Sequence, residues 1–192
     1  MKILILYSSR DGHTRLIAEQ IAAAAGGETV CDVRNLHQSE DIDPSLYRAV
    51  VIGASIRYGY FRSAVGRFIG KNQAALNAMP GAFFGVNLVA RKPEKRTVET
   101  NVYVRRFLAQ CPWRPQLTAV FPGALRYPRY PWYDRAMIRL IMWMTGGETD
   151  PSMEVVYTDW DDVKDFGRRF AELAEIPVAV ETEEDRLTPS PA

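Results

Sequence analysis

The feature that most constrains this chain is the alternation of short apolar runs with amphipathic helical stretches up to about residue 175. Lys2 to Ser8 is an apolar run ending in turn residues, which reads as a buried strand. Thr14 to Ala25 places Leu16, Ile17, Gln20, Ile21 and Ala24 at helical spacing, and Gly26-Gly27 supplies the left-handed stop. Glu28–Val33 reads as a second strand and Tyr47–Ser55, apolar on both faces, as a third. Ser63–Leu76 is expected to be one helix, Gly81–Val89 a fourth strand, Thr97–Gln110 a helix and Leu117–Ala124 a fifth strand. Asp159–Ala174 closes the series as a helix with Asp159 as its cap. Strands alternating with helices make an α/β fold, a doubly wound five-stranded parallel sheet covered on both faces. Such sheets bind ligands outside the carboxyl ends of their strands, near the point where strand order reverses. The loops after strands one, three and four are therefore the first place to look for a site.

Two stretches exceed this minimal domain. Leu125–Pro151 is a long excursion after the fifth strand, rich in aromatic and basic residues, with Glu154–Thr158 returning as a short edge strand. From Pro177 the chain turns Pro- and Glu-rich, the composition of an unstructured tail. The expected organisation is thus one domain over residues 1–175, an insertion at about 125–151, and a tail at 176–192.

The net charge of +1 on 192 residues gives no global attraction to nucleic acid, so anion binding must come from local clusters. Two cysteines far apart, Cys31 and Cys111, suit a reducing compartment. Two histidines, His13 and His37, have no second ligand at helical spacing, so no metal site is expected. No run of 18 apolar residues is present to span a bilayer.

The first loop, Ser8-Ser9-Arg10-Asp11-Gly12-His13-Thr14, suits a phosphate. Ser9 and Thr14 offer hydroxyls, Gly12 admits close backbone approach, and the following helix start offers free N–H groups. The spacing matches neither the P-loop nor the dinucleotide fingerprint. The same residues would also serve an ordinary helix-capping turn. His13 reads as a surface residue at a helix start rather than a catalytic one, since no partner carboxylate or nucleophile accompanies it.

This loop, with Val51–Gly59, resembles flavodoxin-like proteins. Four later segments narrow the resemblance: Asn87–Thr97, Gly123–Tyr130, Gly146–Asp150 and Val155–Trp160. Together they are similar to the bacterial menaquinone-dependent protoporphyrinogen IX dehydrogenases, from Met1 to about Glu175. The sequence departs from that family's usual pattern at Ser9, His13 and Tyr60-Phe61-Arg62. The resemblance implies one FMN, oxidation of protoporphyrinogen IX to protoporphyrin IX in haem synthesis, and electron delivery to menaquinone or ubiquinone. It also implies a peripheral protein on the cytoplasmic face of the membrane. The rival readings are a flavodoxin-type electron carrier, an NAD(P)H:quinone reductase of the same fold, and an interaction protein that has lost its flavin.

On this reading the cofactor lies among Ser9, Arg10, Asp11, Gly12, His13 and Thr14, then Ser55, Ile56, Arg57, Tyr58 and Gly59, then Asn87, Leu88, Val89 and Ala90. Tyr58 can stack on an aromatic ring, and the Asn87 amide can meet a polar ring edge. Chemistry at the flavin needs no catalytic side chain that the sequence identifies. Arg91, Arg126 and Arg129 are candidate partners for the substrate propionates. The insertion's Asp134–Gly146 stretch can form a helix too short to span a bilayer but suited to an anionic membrane surface, with Arg135 and Arg139 at the headgroups. Packing on the domain or on a second copy of the chain stays open.

Overall fold

The computed structural model describes residues 1–39, 41–144 and 146–175, with every side chain in those ranges except that of Arg129. The proposed tail lies outside the described residues. β1 (Ile3–Ser8), β2 (Cys31–Asn35), β3 (Ala49–Ser55), β4 (Gly81–Asn87) and β5 (Leu117–Pro122) form one parallel sheet in the order β2-β1-β3-β4-β5. The order reverses between β1 and β3, so the switch point lies at the ends of those two strands, at Ser8 and Ser55.

Both faces of the sheet are apolar, as a parallel sheet covered by helices requires. Ile3, Ile5, Val51 and Phe84 pack under α1 (His13–Ala24) and α6 (Trp160–Leu173). Leu4, Leu6, Ile52 and Phe83 pack on the other side, under α2 (Ser63–Lys71) and α4 (Val102–Gln110). Gly53 in β3 leaves room for the Phe84 ring, which would collide with any Cβ there. Asp159 caps α6 by accepting from the N–H groups of Asp161 and Asp162 at 3.1 and 3.4 Å, as expected.

Several boundaries differ from the sequence reading. Glu28–Val30 is not strand: Gly27 carries φ +73°, and its carbonyl accepts from Val30 and Cys31, so β2 starts only at Cys31. The Ser63–Leu76 helix is broken at Asn72, whose side-chain amide and backbone N–H both donate to the Phe68 carbonyl; α3 (Gln73–Asn77) follows. Val89 leaves the strand for a 3₁₀ turn over Val89–Arg91. Thr97–Thr100 is a turn, and the helix begins after Asn101, whose side chain accepts from the Val104 N–H.

The excursion is built, not disordered. β6 (Ala124–Arg126) pairs antiparallel with β7 (Glu154–Val156). β7 therefore does not extend the main sheet as an edge strand but makes a separate two-stranded ribbon. Between them runs α5 (Trp132–Met144), and a small core of Leu125, Tyr127, Tyr130, Ile138 and Met142 joins it to Leu88. No helix among the described residues is long and apolar enough to cross a membrane.

Candidate functional site

The carboxyl ends of β1, β3 and β4 open into a cavity of about 470 Å³, within the usual range for small-molecule sites. The first loop contributes Ser9, Arg10, Asp11, His13 and Thr14 to its wall, the third-strand loop Ser55 to Gly59, and the fourth Asn87, Leu88, Val89 and Arg91. Gly12 and Ala90 do not line it. Gly12 shapes the loop with φ +80°, and Ala90 lies beneath, its N–H donating to Asn87 Oδ1. Arg126 lines the cavity, whereas the side chain of Arg129 is outside the described residues. Four arginines and one aspartate face the cavity, which makes it locally cationic despite the near-neutral chain.

The start of α1 has no side-chain cap and no acidic residue in its first turn, so its free N–H groups remain available to an anion. A Cβ at Gly12 would meet nothing within 4 Å, so it is the positive φ that makes glycine the natural choice there.

His13 is buried, contrary to its reading as a surface residue at a helix start. Its Nε2 lies 2.6 Å from Thr158 Oγ1, and that hydroxyl donates to the Pro122 carbonyl at 2.6 Å. The single hydroxyl proton is thus committed, so the imidazole must donate from Nε2 and carries its lone pair on Nδ1. Nδ1 is buried without a partner. Burial, and then the neighbouring Arg126 charge, lower the pKa from 6.5 to about 4, which keeps the ring neutral near pH 7.

Asn87 is the complementary case. Its Oδ1 accepts from Ala90 N–H at 3.0 Å and from Asn101 Nδ2 at 3.2 Å, which fixes the amide orientation. Its Nδ2 is then a buried donor with no partner. An unsatisfied acceptor and an unsatisfied donor at the cavity wall fit a bound molecule that carries both polar types.

The third-strand loop closes as a tight turn. Arg57 and Tyr60 exchange backbone hydrogen bonds of 3.1 and 3.2 Å, and the two residues between them, Tyr58 and Gly59, have φ of +53° and +86°. Positive φ at both central residues is the type I′ pattern. A Cβ on Gly59 would come within 3.1 Å of the Tyr103 ring, so the turn is also tightly backed.

Sequence reasoning missed what the rest of the chain brings here. Tyr103 from α4, Gly123 and Ala124 before and in β6, Tyr130, and Ile138, Ile141 and Met142 from α5 all line the cavity. Asp134, almost wholly buried, receives Arg57 at 2.5 Å and the Tyr58 hydroxyl. Its position was legible as a helix face: Asp134, Ile138, Ile141 and Met142 share one side of α5, where a lone acid among apolar residues signals a buried carboxylate. The apolar residues of α5 divide between two faces. The inner face lines the cavity, while Trp132, Met137, Leu140, Trp143 and Met144 are exposed. Arg135 reaches back to the Tyr130 carbonyl and Arg139 to that of Thr149.

The sheet order and the anion-ready loop at its switch point define a flavodoxin-type α/β protein. A flavodoxin domain model matches residues 4–152, and a flavodoxin variant from Pseudomonas aeruginosa superposes with a TM-score of 0.51 at 12% identity, covering 91% of this chain and 99% of that one. Flavodoxin-like domains are flavin binders, and the paired orphan donor and acceptor fit such a ligand. Sequence comparison is more specific. The protoporphyrinogen IX dehydrogenase (quinone) of Escherichia coli strain K12 is 56% identical over 178 residues, 92% of this chain and 98% of that relative. That of Leishmania major is 49% identical over 181 residues, 93% of this chain and 77% of its own length. The chain belongs to the protoporphyrinogen IX dehydrogenase (quinone) family.

Proposed function

We propose that this protein binds FMN, oxidises protoporphyrinogen IX to protoporphyrin IX in haem synthesis, and passes the electrons to a membrane quinone. The observation that carries the reading is the 56% identity to an enzyme so named over 92% of this chain. FMN, when bound, supplies the two-electron chemistry. The phosphate goes to the first loop, held by the N–H groups of the α1 start and by Ser9 and Thr14. Asn87 Nδ2, a buried donor without a partner, would donate to a polar edge of the flavin, and Tyr58 would offer it an aromatic face. The inner face of α5, with Ile138, Ile141 and Met142 on the cavity wall, would exclude water from the bound flavin.

Protoporphyrinogen is a large, mostly apolar macrocycle with two propionates. The apolar wall of Ile138, Ile141 and Met142 beside the guanidinium groups of Arg91 and Arg126 has the chemistry such a molecule requires, and Arg129 belongs to the same segment as Arg126. Arg126 is partly engaged already, with Nε 3.7 Å from Glu154, so a propionate competes there with a carboxylate of the chain itself. The outer face of α5 suits the headgroup region of an anionic membrane, which would bring the cavity mouth to the quinone pool. The reading includes peripheral attachment on the cytoplasmic face.

The test is anaerobic turnover of protoporphyrinogen IX by the FMN-loaded protein with menaquinone, with ubiquinone, and with no acceptor. Porphyrin formation that requires quinone supports the proposal. Quinone reduction driven by NAD(P)H alone would favour the reductase reading. Absence of turnover with any quinone, by a protein that exchanges electrons with redox partners, would favour a carrier.

A further inference from the structure

We propose that Asp134 is a positioning residue that fastens the insertion helix to the flavin-side turn and holds Tyr58 in its working place. The inference rests on the reading of the cavity as the flavin and porphyrinogen site. Its first support is burial. The Asp134 side chain is 4% exposed, yet it is a carboxylate on a helix whose neighbours on the same face are Ile138 and Met142. A buried carboxylate is tolerated only when its oxygens are met by strong donors. Here both oxygens are met from one turn: Arg57 donates to Oδ2 at 2.5 Å and the Tyr58 hydroxyl to Oδ1, with Arg10 at 4.0 Å adding charge from the first loop.

The second support is independent of the first. Tyr58 holds φ +53°, a left-handed conformation that a bulky residue avoids, in a turn that glycine or asparagine would occupy without strain. Such a conformation persists only where the surroundings over-determine it. The over-determination is visible: the phenol is tied to Asp134, and the Arg57 guanidinium lies 5.7 Å from the Tyr58 ring centroid and 5.2 Å from that of Tyr130. Arg57 in turn reaches both carboxylate oxygens of Asp11 at 3.3 Å. One carboxylate from the insertion thereby joins the first loop, the third-strand turn and α5. The aromatic wall and the apolar wall of the cavity are then set as one unit, and a substrate that needs both meets them at a fixed spacing.

The experiment compares Asp134→Ala, Asp134→Asn, Tyr58→Phe and the Tyr58→Phe/Asp134→Ala double variant. Native-state amide exchange of the flavin-free protein is read at residues 57–60 and 132–144, and the KM and kcat for protoporphyrinogen IX are read with FMN bound. Asp134→Ala should speed exchange in both segments together and raise KM about tenfold with little change in kcat, a coupling of the size found for residues in direct contact. Asp134→Asn, which still accepts from the Tyr58 hydroxyl, should fall between it and the unmutated protein, and it carries the test if the alanine variant fails to fold. Adding Tyr58→Phe to Asp134→Ala should change KM by less than about twofold further, because the shared contact is already lost. Faster exchange confined to residues 132–144, or fully multiplicative effects of Tyr58→Phe and Asp134→Ala on KM, would overturn the proposal. If the unmutated protein does not oxidise protoporphyrinogen, the functional reading fails, and the exchange data still decide whether Asp134 holds the turn.

Discussion

Replacing His13 by Gln tests the electrostatic description of the first loop. The imidazole is neutral because burial and Arg126 hold its pKa at about 4, against 6.5 for the free side chain. Between those values the unfolded chain binds a proton that the folded chain refuses, so stability rises with pH across this window and falls as acid is added. It is complete above 6.5 and exhausted below about 4. At pH 5 the linkage relation with these two values gives a loss of about 2 kcal/mol, and the full gap is worth roughly 3 kcal/mol at about 1.4 kcal/mol per pH unit. Gln at position 13 can still donate to Thr158 through its amide but does not titrate. The assay is urea unfolding of the flavin-free protein and of the variant at pH 7.5, 6.5 and 5. Flavin-free protein is used because a phosphate at this loop would itself raise the histidine pKa. The unmutated protein should lose about 2 kcal/mol more than the variant between pH 7.5 and 5. Parallel stability profiles would refute the buried neutral imidazole.

Three further outcomes are expected. Gly53→Ala should destabilise the fold by about 3 kcal/mol in thermal or chemical unfolding, since the new Cβ enters the Phe84 ring at the centre of the sheet. Thr14→Ala should weaken FMN by about 1–3 kcal/mol in a fluorescence titration, and riboflavin, which lacks the phosphate, should bind far more weakly than FMN; equal affinity for both would remove the phosphate assignment of the loop. Leu140→Ser should lower binding to anionic vesicles by about 2 kcal/mol at unchanged flavin content, as sedimentation with vesicles would report. Leu140 is a cleaner probe of that surface than Arg135, whose guanidinium is occupied by the Tyr130 carbonyl, so that reversing its charge would also disturb the fold.

The centre of the sheet was legible because β1, β3 and β4 are near-continuous apolar runs, the pattern of strands covered on both faces, whereas the edge strand β2 carries Asp32, Arg34 and Asn35. Strand ends were less legible. The start of β2 is decided by Gly27, whose positive φ turns the chain before Cys31 can pair with Ile3. The break at Asn72 coincides with a side-chain amide that shares the Phe68 carbonyl with its own backbone N–H, a local contact that apolar spacing does not register. At the site, the loops after β1, β3 and β4 follow from topology, and the cavity does gather most of the residues those loops supplied. What periodicity could not convey is long-range. His13 takes its tautomer from Thr158, 145 residues away, and Asn87 takes its orientation from Asn101, whose own signal was that of a helix cap displaced from the expected start.

The insertion changes what the scaffold can do because of where it leaves the sheet. It departs after β5, at the carboxyl ends of the strands, and its helix lines the switch-point cavity with Ile138, Ile141 and Met142. A helix there must satisfy two surroundings. Its inner face, with Ile138 and Met142, is held down by the small core around Leu125 and Tyr127 and by the Asp134 contacts. Its outer face carries Trp132 at 79% exposure and Trp143 at 73%, more large apolar surface than one helix of a monomeric protein usually offers to water. On the proposed membrane-bound reading, one wall of about a helix diameter, roughly 10 Å, would separate the cavity from the membrane. On that same reading, a hydrophobic acceptor dissolved in the membrane would need to travel only around or beneath α5 to reach a ligand in the cavity. An electron carrier that meets its partners in water has no use for such a wall, and this is why the α5 insertion, more than the flavodoxin sheet beneath it, bears on the choice between a carrier and a quinone-coupled enzyme.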